Sequence, residues 1–339
     1  MPVLGEATAR KSSMVQKTEL ANLPLRVRLS DLTGDSDALR RALAVLPDPA
    51  GSEIVFSLDD PDPQVIVYLE AGYTGLGHLL SIVQSIASFP QARHFMFSES
   101  DWPFPVLPGR YCSLTRSYPW AAAWSYLLRP SFLDIEQPSN IKYFFSFLGR
   151  ASTHSIRSDV LRLDSDTSPC LDASSAATRF PNFDYSRTYD ELLRDSQFIL
   201  CPRGIGASSV RIFEAMRAGR VPVIISDDWL PAPGLPWKDI SVRILEKEIS
   251  SIPDVLSRIP NPLKMGVKSR ELYDQYFSRE VFLKSLVKSI LSDRETSNSI
   301  CALLYRALRS LSLRETRSLI PWKRRFPHPS HQQRFLAGE

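Results

Sequence analysis

Short apolar runs bounded by turn residues mark the first third of the chain, at residues 53–58, 64–70 and 94–99, each the length of a buried strand. Between the last two, Leu79, Leu80, Ile82, Val83 and Ile86 recur at three- and four-residue spacing. That period predicts a helix near residues 77–89 with one stripe facing a core. Strand, helix, strand in this order implies a parallel pair joined by a crossover, the building unit of open α/β sheets. From 102 to 138, prolines at 103, 105, 108, 119, 130 and 138 break any period, so the stretch reads as a connecting or cleft-edge segment.

The pattern restarts with a strand at 143–149 and a helix at 153–163. It continues as a helix at 188–195, a strand at 197–201, a helix at 208–218 and strands at 221–226 and 241–245. Helical spacing dominates afterwards, at 267–277, 280–292 and 299–310. The first 22 residues are polar without a period and read as a loosely ordered lead-in. With 339 residues the chain has room for two domains, here α/β lobes at 23–138 and 139–292 followed by a helix and tail at 293–339.

Chemistry concentrates in residues 197–226, which read strand, glycine loop, helix, strand. Gly204 and Gly206 let backbone approach a ligand closely, and the helix starting near Ser208 offers unpaired N–H groups and the positive end of its dipole. A pyrophosphate is the natural guest of such a turn. Arg211 and Glu214, three residues apart, share a helix face. The guanidinium could neutralise a departing diphosphate while the carboxylate accepts bonds from ribose hydroxyls. An ordinary i, i+3 surface ion pair would use the same residues. The loop also has the look of a degenerate dinucleotide fingerprint, with Asp227 and Asp228 at the end of the next strand but without the third glycine. An NAD-dependent oxidoreductase therefore stays open.

A longer stretch resembles the exostosin family, the glycosyltransferase family 47 enzymes. The resemblance is carried by Cys201-Pro202-Arg203-Gly204, Ser209-Val210-Arg211, Glu214-Ala215, Gly219 and Val221-Pro222-Val223. It continues through residues 224–231, Trp237 and residues 240–242, with residues 143–150 similar to the family's opening strand. What it implies is a GT-B-like fold, two facing Rossmann-like lobes with parallel sheets and a helical C-terminal region. The C-terminal lobe would hold a nucleotide-sugar donor and the N-terminal lobe the acceptor. Carried over by position, Arg203, Gly204, Ser209, Arg211 and Glu214 would contact the donor, with Arg150 a further phosphate ligand.

The expected reaction is inverting transfer of a hexosyl or glycuronosyl group, from a UDP-sugar in the first instance, to a glycan or lipid-linked acceptor in polysaccharide biosynthesis. The nucleotide-sugar would be a co-substrate, with no obligatory cofactor or metal. A fucosyltransferase using GDP-fucose and a non-catalytic nucleotide-sugar-binding module would share the same residues. Inversion needs a general base at a strand end of the first lobe. Glu99 and Asp101 are the leading candidates, with Glu70 and His78 behind them. Asp227, Asp228 and Trp229 could touch the acceptor, as could Trp102. Asp-x-Asp occurs at 35–37, 60–62 and 164–166, a scatter that argues for chance and not for a metal motif.

Charge changes this picture only at one end. The net charge is +4, yet residues 301–339 carry eight Arg or Lys against two Glu, so the basic character is local. With Trp322 to Phe326 that tail suits contact with an anionic membrane surface, and equally a solvated terminus, the commoner fate of charged ends. Nucleic acid is not an expected partner. Four scattered cysteines without a Cys-x-x-Cys pair, and no apolar run of about eighteen residues, fit a reducing, cytoplasmic setting, with the tail at the inner face of a membrane as the peripheral variant.

Overall fold

The computed structural model describes residues 23–32, 37–46, 51–70, 78–129, 141–175 and 183–293. The lead-in, the helix expected at 299–310 and the basic tail lie outside the described residues.

Two α/β lobes follow one another along the chain. In the first, β1 (Leu25–Asp31), β2 (Ile54–Ser57), β3 (Val65–Glu70), β4 (Arg93–Ser98), β5 (Gly109–Tyr111) and β6 (Ala121–Ala123) form a sheet ordered β2-β1-β3-β4-β5-β6. All its pairings are parallel. Its helices are α1 (Asp37–Leu43) and α2 (Leu79–Ser88). The second sheet contains β7 (Tyr143–Gly149), β8 (Cys170–Asp172), β9 (Ser196–Pro202), β10 (Val221–Ile225) and β11 (Val242–Ile244), ordered β11-β10-β9-β7-β8 and again parallel throughout. Around it lie α3 (Ile156–Leu161), α4 (Tyr185–Asp195), α5 (Val210–Arg217), α6 (Trp237–Ile240), α7 (Ile252–Ser257) and α8 (Pro262–Tyr276). The expected pair of parallel-sheet lobes is present.

Strands with helices on both faces are buried on both sides, which is why continuous apolar runs gave them away: every residue of β3 and of β10 is buried. The segment read as a connector, 102–138, instead contributes β5 and β6 to the first sheet. Each is three residues long, too short for a period to emerge among prolines. Strand β1 also escaped, because Arg26 and Arg28 interrupt it; only Val27 and Leu29 are buried, and the Arg28 guanidinium rests 5.2 Å from the Phe89 ring centroid.

The last described helix, α9 (Phe282–Leu291), returns from the second lobe to the first. Phe282 packs edge-on against Phe97 of β4, with ring centroids 5.5 Å apart. Arg110 of β5, 1% exposed, fastens its end by donating to Ser289 Oγ at 2.8 Å and to both Asp293 oxygens at 2.6 and 3.0 Å. The lobes also meet through apolar contacts, Trp124 against Phe277 at 5.3 Å and Tyr126 against Phe213 at 6.2 Å. Helix α8 lies so close to the turn after α5 that a Cβ on Gly266 would stand 2.4 Å from the Gly219 carbonyl oxygen. Gly266→Ala should therefore cost about 1–3 kcal/mol, read as a lower urea midpoint, because backbone on both sides has to shift.

Candidate active site at the strand ends of the second lobe

In the second sheet the chain runs from β7 outward to β8, then crosses back past β7 to β9. The order reverses between β7 and β9, and in open parallel sheets ligands bind outside the carboxyl ends of the strands at such a reversal. Arg150 follows the end of β7 and Arg203 the end of β9. The glycine loop leads from there into α5, whose Ser209 occupies the N-cap with extended backbone and makes no side-chain capping bond. Ser226 secures the loop by donating to the Ala207 carbonyl at 2.7 Å.

Two guanidiniums are buried behind this loop. Arg157 of α3, 8% exposed, donates to the carbonyls of Arg203 at 2.9 Å, Arg150 at 3.1 Å and Pro202 at 3.4 Å, tying the two strand ends together. Arg211, 6% exposed, donates to the Leu148 carbonyl at 2.5 Å, and its guanidinium carbon lies 4.9 Å from the Phe147 ring centroid and 5.4 Å from that of Tyr189. Gly149 makes room for it: a Cβ there would approach Arg211 Nη2 to 3.0 Å and the Phe147 ring to 2.9 Å. Among the described residues neither arginine has a carboxylate within ion-pairing distance, so the i, i+3 pair of Arg211 with Glu214 is not formed. Burial, and then the nearby charge of Arg211, lower the Arg157 pKa to about 10, which keeps it cationic at neutral pH. A cavity of about 10 Å³, room for one water, lies beside Arg211 and Tyr189. Two buried cations without an ion-pair partner among the described residues, with Glu214 and Asp101 acting on them only at longer range, are suited to an anion that arrives as ligand.

Residues 126–259, which contain this whole arrangement, match the family model of the Exostosin GT47 domain. Over those residues the chain is similar to the exostosin GT47 domain. It is 38% identical over 100 residues to the Exostosin-1 homolog of Caenorhabditis elegans, an alignment covering 28% of this chain and 26% of that one. It is 42% identical over 86 residues to a probable beta-1,4-xylosyltransferase of Arabidopsis thaliana, covering 24% and 21%. The chain thus spans about a quarter of the length of the curated relatives it matches. Solved structures that align with it include a glycosyltransferase from Rickettsia africae, with TM-score 0.42, 10% identity and coverage of 80% of this chain and 100% of that one. Anabaena HepE in complex with UDP aligns with TM-score 0.41, 9% identity and the same coverage.

The remaining candidates fall around and beyond the matched stretch. Arg203 holds Asp228 at 3.3 Å and Glu246 at 3.5 Å. Asp227 and Glu246 exchange reciprocal bonds, each backbone N–H donating to the other's carboxylate at 3.1 and 2.9 Å, so Asp227 serves the turn. Trp229, expected at the acceptor, is 5% exposed and packs edge-on against Trp237 at 5.0 Å. Its place in the core corrects that expectation: the indole surface is spent on packing. Trp102, by contrast, is 42% exposed.

From the first lobe, Glu99 accepts from the Leu127 N–H at Oε1, 2.7 Å away, and from Arg41 at Oε2, so both carboxylate oxygens are engaged. It clamps α1 and the post-β6 segment to the strand end, so its expected role as a base gives way to a structural one. Glu70 accepts a bond from Ser98 and is buried within its own sheet. Asp101 sits across from the glycine loop: a Cβ added to Gly206 would come within 2.7 Å of Asp101 Oδ1 and 2.6 Å of Ser113 Oγ. Burial pushes the Asp101 carboxyl above the usual aspartate range, opposed by the Gly206 N–H and the Arg157 charge. Of the Asp-x-Asp pairs, Asp60 and Asp62 face Arg26, and Asp164 accepts from the Cys170 N–H at 2.7 Å.

Sequence reading missed Arg157. It lies in a stretch read only as a helix, and its nearness to the glycine loop depends on the crossing from β7 to β9. Gly206→Ala should lower the melting temperature and drive Asp101 and Ser113 away from the loop, because the added carbon meets both side chains. A thermal melt with wild type as reference reads the outcome.

Proposed function

We propose that the chain is an inverting glycosyltransferase that moves a sugar from a nucleotide-sugar, in the first instance a UDP-sugar, to a glycan or lipid-linked acceptor. The observation that carries the reading is the pair of buried guanidiniums, Arg157 and Arg211, which have no ion-pair partner among the described residues and lie behind a glycine loop and a helix N-terminus. A donor diphosphate would supply the missing negative charge, and the same cations would stabilise the nucleoside diphosphate as it leaves. The backbone of Gly204 and the N-terminal turn of α5 from Ser209 would receive phosphate oxygens, with Arg150 and Arg203 at the rim. Glu214 would hold the ribose. Asp101 faces this loop from the first lobe and would take the acceptor proton, with Trp102 offering an exposed indole to an acceptor sugar. The guanidiniums take over the charge a divalent ion would provide, so EDTA should leave the initial rate unchanged.

A thermal-shift panel of UDP, GDP, UDP-sugars, GDP-fucose and NADH tests the reading. A saturating ligand that binds only the folded state adds about 2.7 kcal/mol at a hundred times its Kd, a shift of a few degrees. Stabilisation by UDP and a UDP-sugar is expected. A shift with NADH alone would replace the transferase with an oxidoreductase. Binding without turnover in the presence of acceptors would leave a nucleotide-sugar-binding module.

A further inference from the structure

Tyr189 of α4 touches both Arg211 and Glu214. The Arg211 guanidinium carbon lies 5.4 Å from its ring centroid and 4.9 Å from that of Phe147, so two aromatic rings contact that cation. The Tyr189 hydroxyl donates to Glu214 Oε2. Burial pushes the phenol well above its ordinary pKa, although the Arg211 charge pulls the other way. The group therefore stays protonated at neutral pH and meets the carboxylate only as a donor. Tyr185 lies parallel on Tyr189, centroids 5.7 Å apart and planes 14° from each other, backing the ring from the solvent side.

Glu214 has two oxygens, and the bond from Tyr189 fixes which one remains. Among the described residues Oε1 has no hydrogen-bond partner. A glutamate on a helix surface would otherwise sample several rotamers, each to be restricted when a ligand binds. We infer that Tyr189 is a positioning residue for the donor: it holds Glu214 in the rotamer that presents Oε1 to a vicinal diol and, with Phe147, holds Arg211 in the plane that meets the diphosphate. The inference rests on the nucleotide-sugar reading of this site. Tyr189 touches no reacting atom and works through its two neighbours.

Tyr189→Phe separates these contributions, since it keeps the ring over Arg211 and removes only the bond to Glu214. Calorimetric titration of the full chain with UDP, and with GDP alongside, should give about tenfold weaker binding for Tyr189→Phe. In turnover the donor KM should rise by a similar factor with kcat nearly unchanged, as expected for an interaction equally present in ground and transition states. In a Glu214→Ala background, Tyr189→Phe should make no further difference, because the group it acts through is gone. Equal weakening in both backgrounds, or a fall in affinity that only tracks a fall in melting temperature, would reduce Tyr189 to packing and overturn the inference. Wild-type affinity retained in Tyr189→Phe would overturn it as well, with the transferase reading intact. A wild-type chain that binds neither nucleotide would overturn the transferase reading and this inference with it.

Discussion

Asp101→Asn should lower turnover by about 10²–10⁴-fold while leaving the protein as stable as wild type, or more so, at neutral pH. Asn keeps an oxygen to accept the Gly206 N–H and preserves the volume against the glycine loop, but it cannot take a proton from an acceptor hydroxyl. The stability side follows from the direction of the pKa shift. Burial raises the Asp101 carboxyl in the folded state, so its contribution to stability is fully present below the ordinary aspartate value. That contribution is lost as pH rises through the elevated folded value. Above that window the wild type bears the cost of a buried carboxylate, and Asn does not. The activity profile runs in the opposite sense, since the base works only when ionised: wild-type kcat should fall on an acid limb lying above the ordinary aspartate range. Initial rates across that range, together with melts at matching pH, check both arms. An Asp101→Asn enzyme of full activity, or one that keeps the acid limb, would move the base elsewhere.

The second large effect is expected at Arg211. Arg211→Lys keeps the charge but replaces a planar fork by a single ammonium, which cannot at once reach the Leu148 carbonyl, contact Phe147 and Tyr189, and pair with two phosphate oxygens. A loss of about 10²–10³ in kcat/KM is expected, the scale of removing one preorganised donor from developing charge. Arg211→Met goes further in binding and the other way in stability. It should abolish measurable affinity for nucleoside diphosphates, yet the free protein should melt no lower than wild type. The reason is the repulsion of Arg157 by Arg211 and the desolvation of a buried guanidinium that has no ion-pair partner among the described residues, set against the nearby Glu214 charge. Removing Arg211 also lets the Arg157 pKa climb back toward its ordinary value. Calorimetry with UDP and a thermal melt of the unliganded variant give the two readouts. A variant that binds as wild type would mean that the diphosphate sits elsewhere, and a variant that unfolds would make Arg211 a structural cation held by its aromatic neighbours. Such a pattern, a site residue whose loss stabilises, is the signature of a group kept for chemistry at the expense of the fold.

Much of the architecture was legible along the chain because the buried strands are continuous apolar runs. β3, β4, β7, β9 and β10 lie within a residue or two of where the pattern puts them, and α2 and α5 follow their three- and four-residue stripes. The elements that escaped are short or polar. β5 and β6 hold three residues each between prolines, β8 is Cys170–Asp172 in a polar stretch, and β1 alternates apolar residues with arginines. For these, strand formation is set by a neighbouring strand's hydrogen-bonding edge and not by their own period.

The glycine loop, the helix that follows it and the placement of Arg211 and Glu214 three residues apart on that helix are local in sequence, so the chain by itself determined them: φ/ψ freedom at glycine and a 3.6-residue period act over a few residues. What only the tertiary structure decided is everything that depends on sheet order. The crossing from β7 to β9 brings Arg157 under the loop from 46 residues away, the packing of the lobes sets Asp101 against Gly206, and the same packing assigns Glu99 and Trp229 to structural duty. Those positions are separated along the chain by distances over which periodicity carries no information. A guanidinium becomes a site, or a carboxylate a clamp, only when burial and the neighbours brought by the fold fix its charge, its partners and its remaining free atoms.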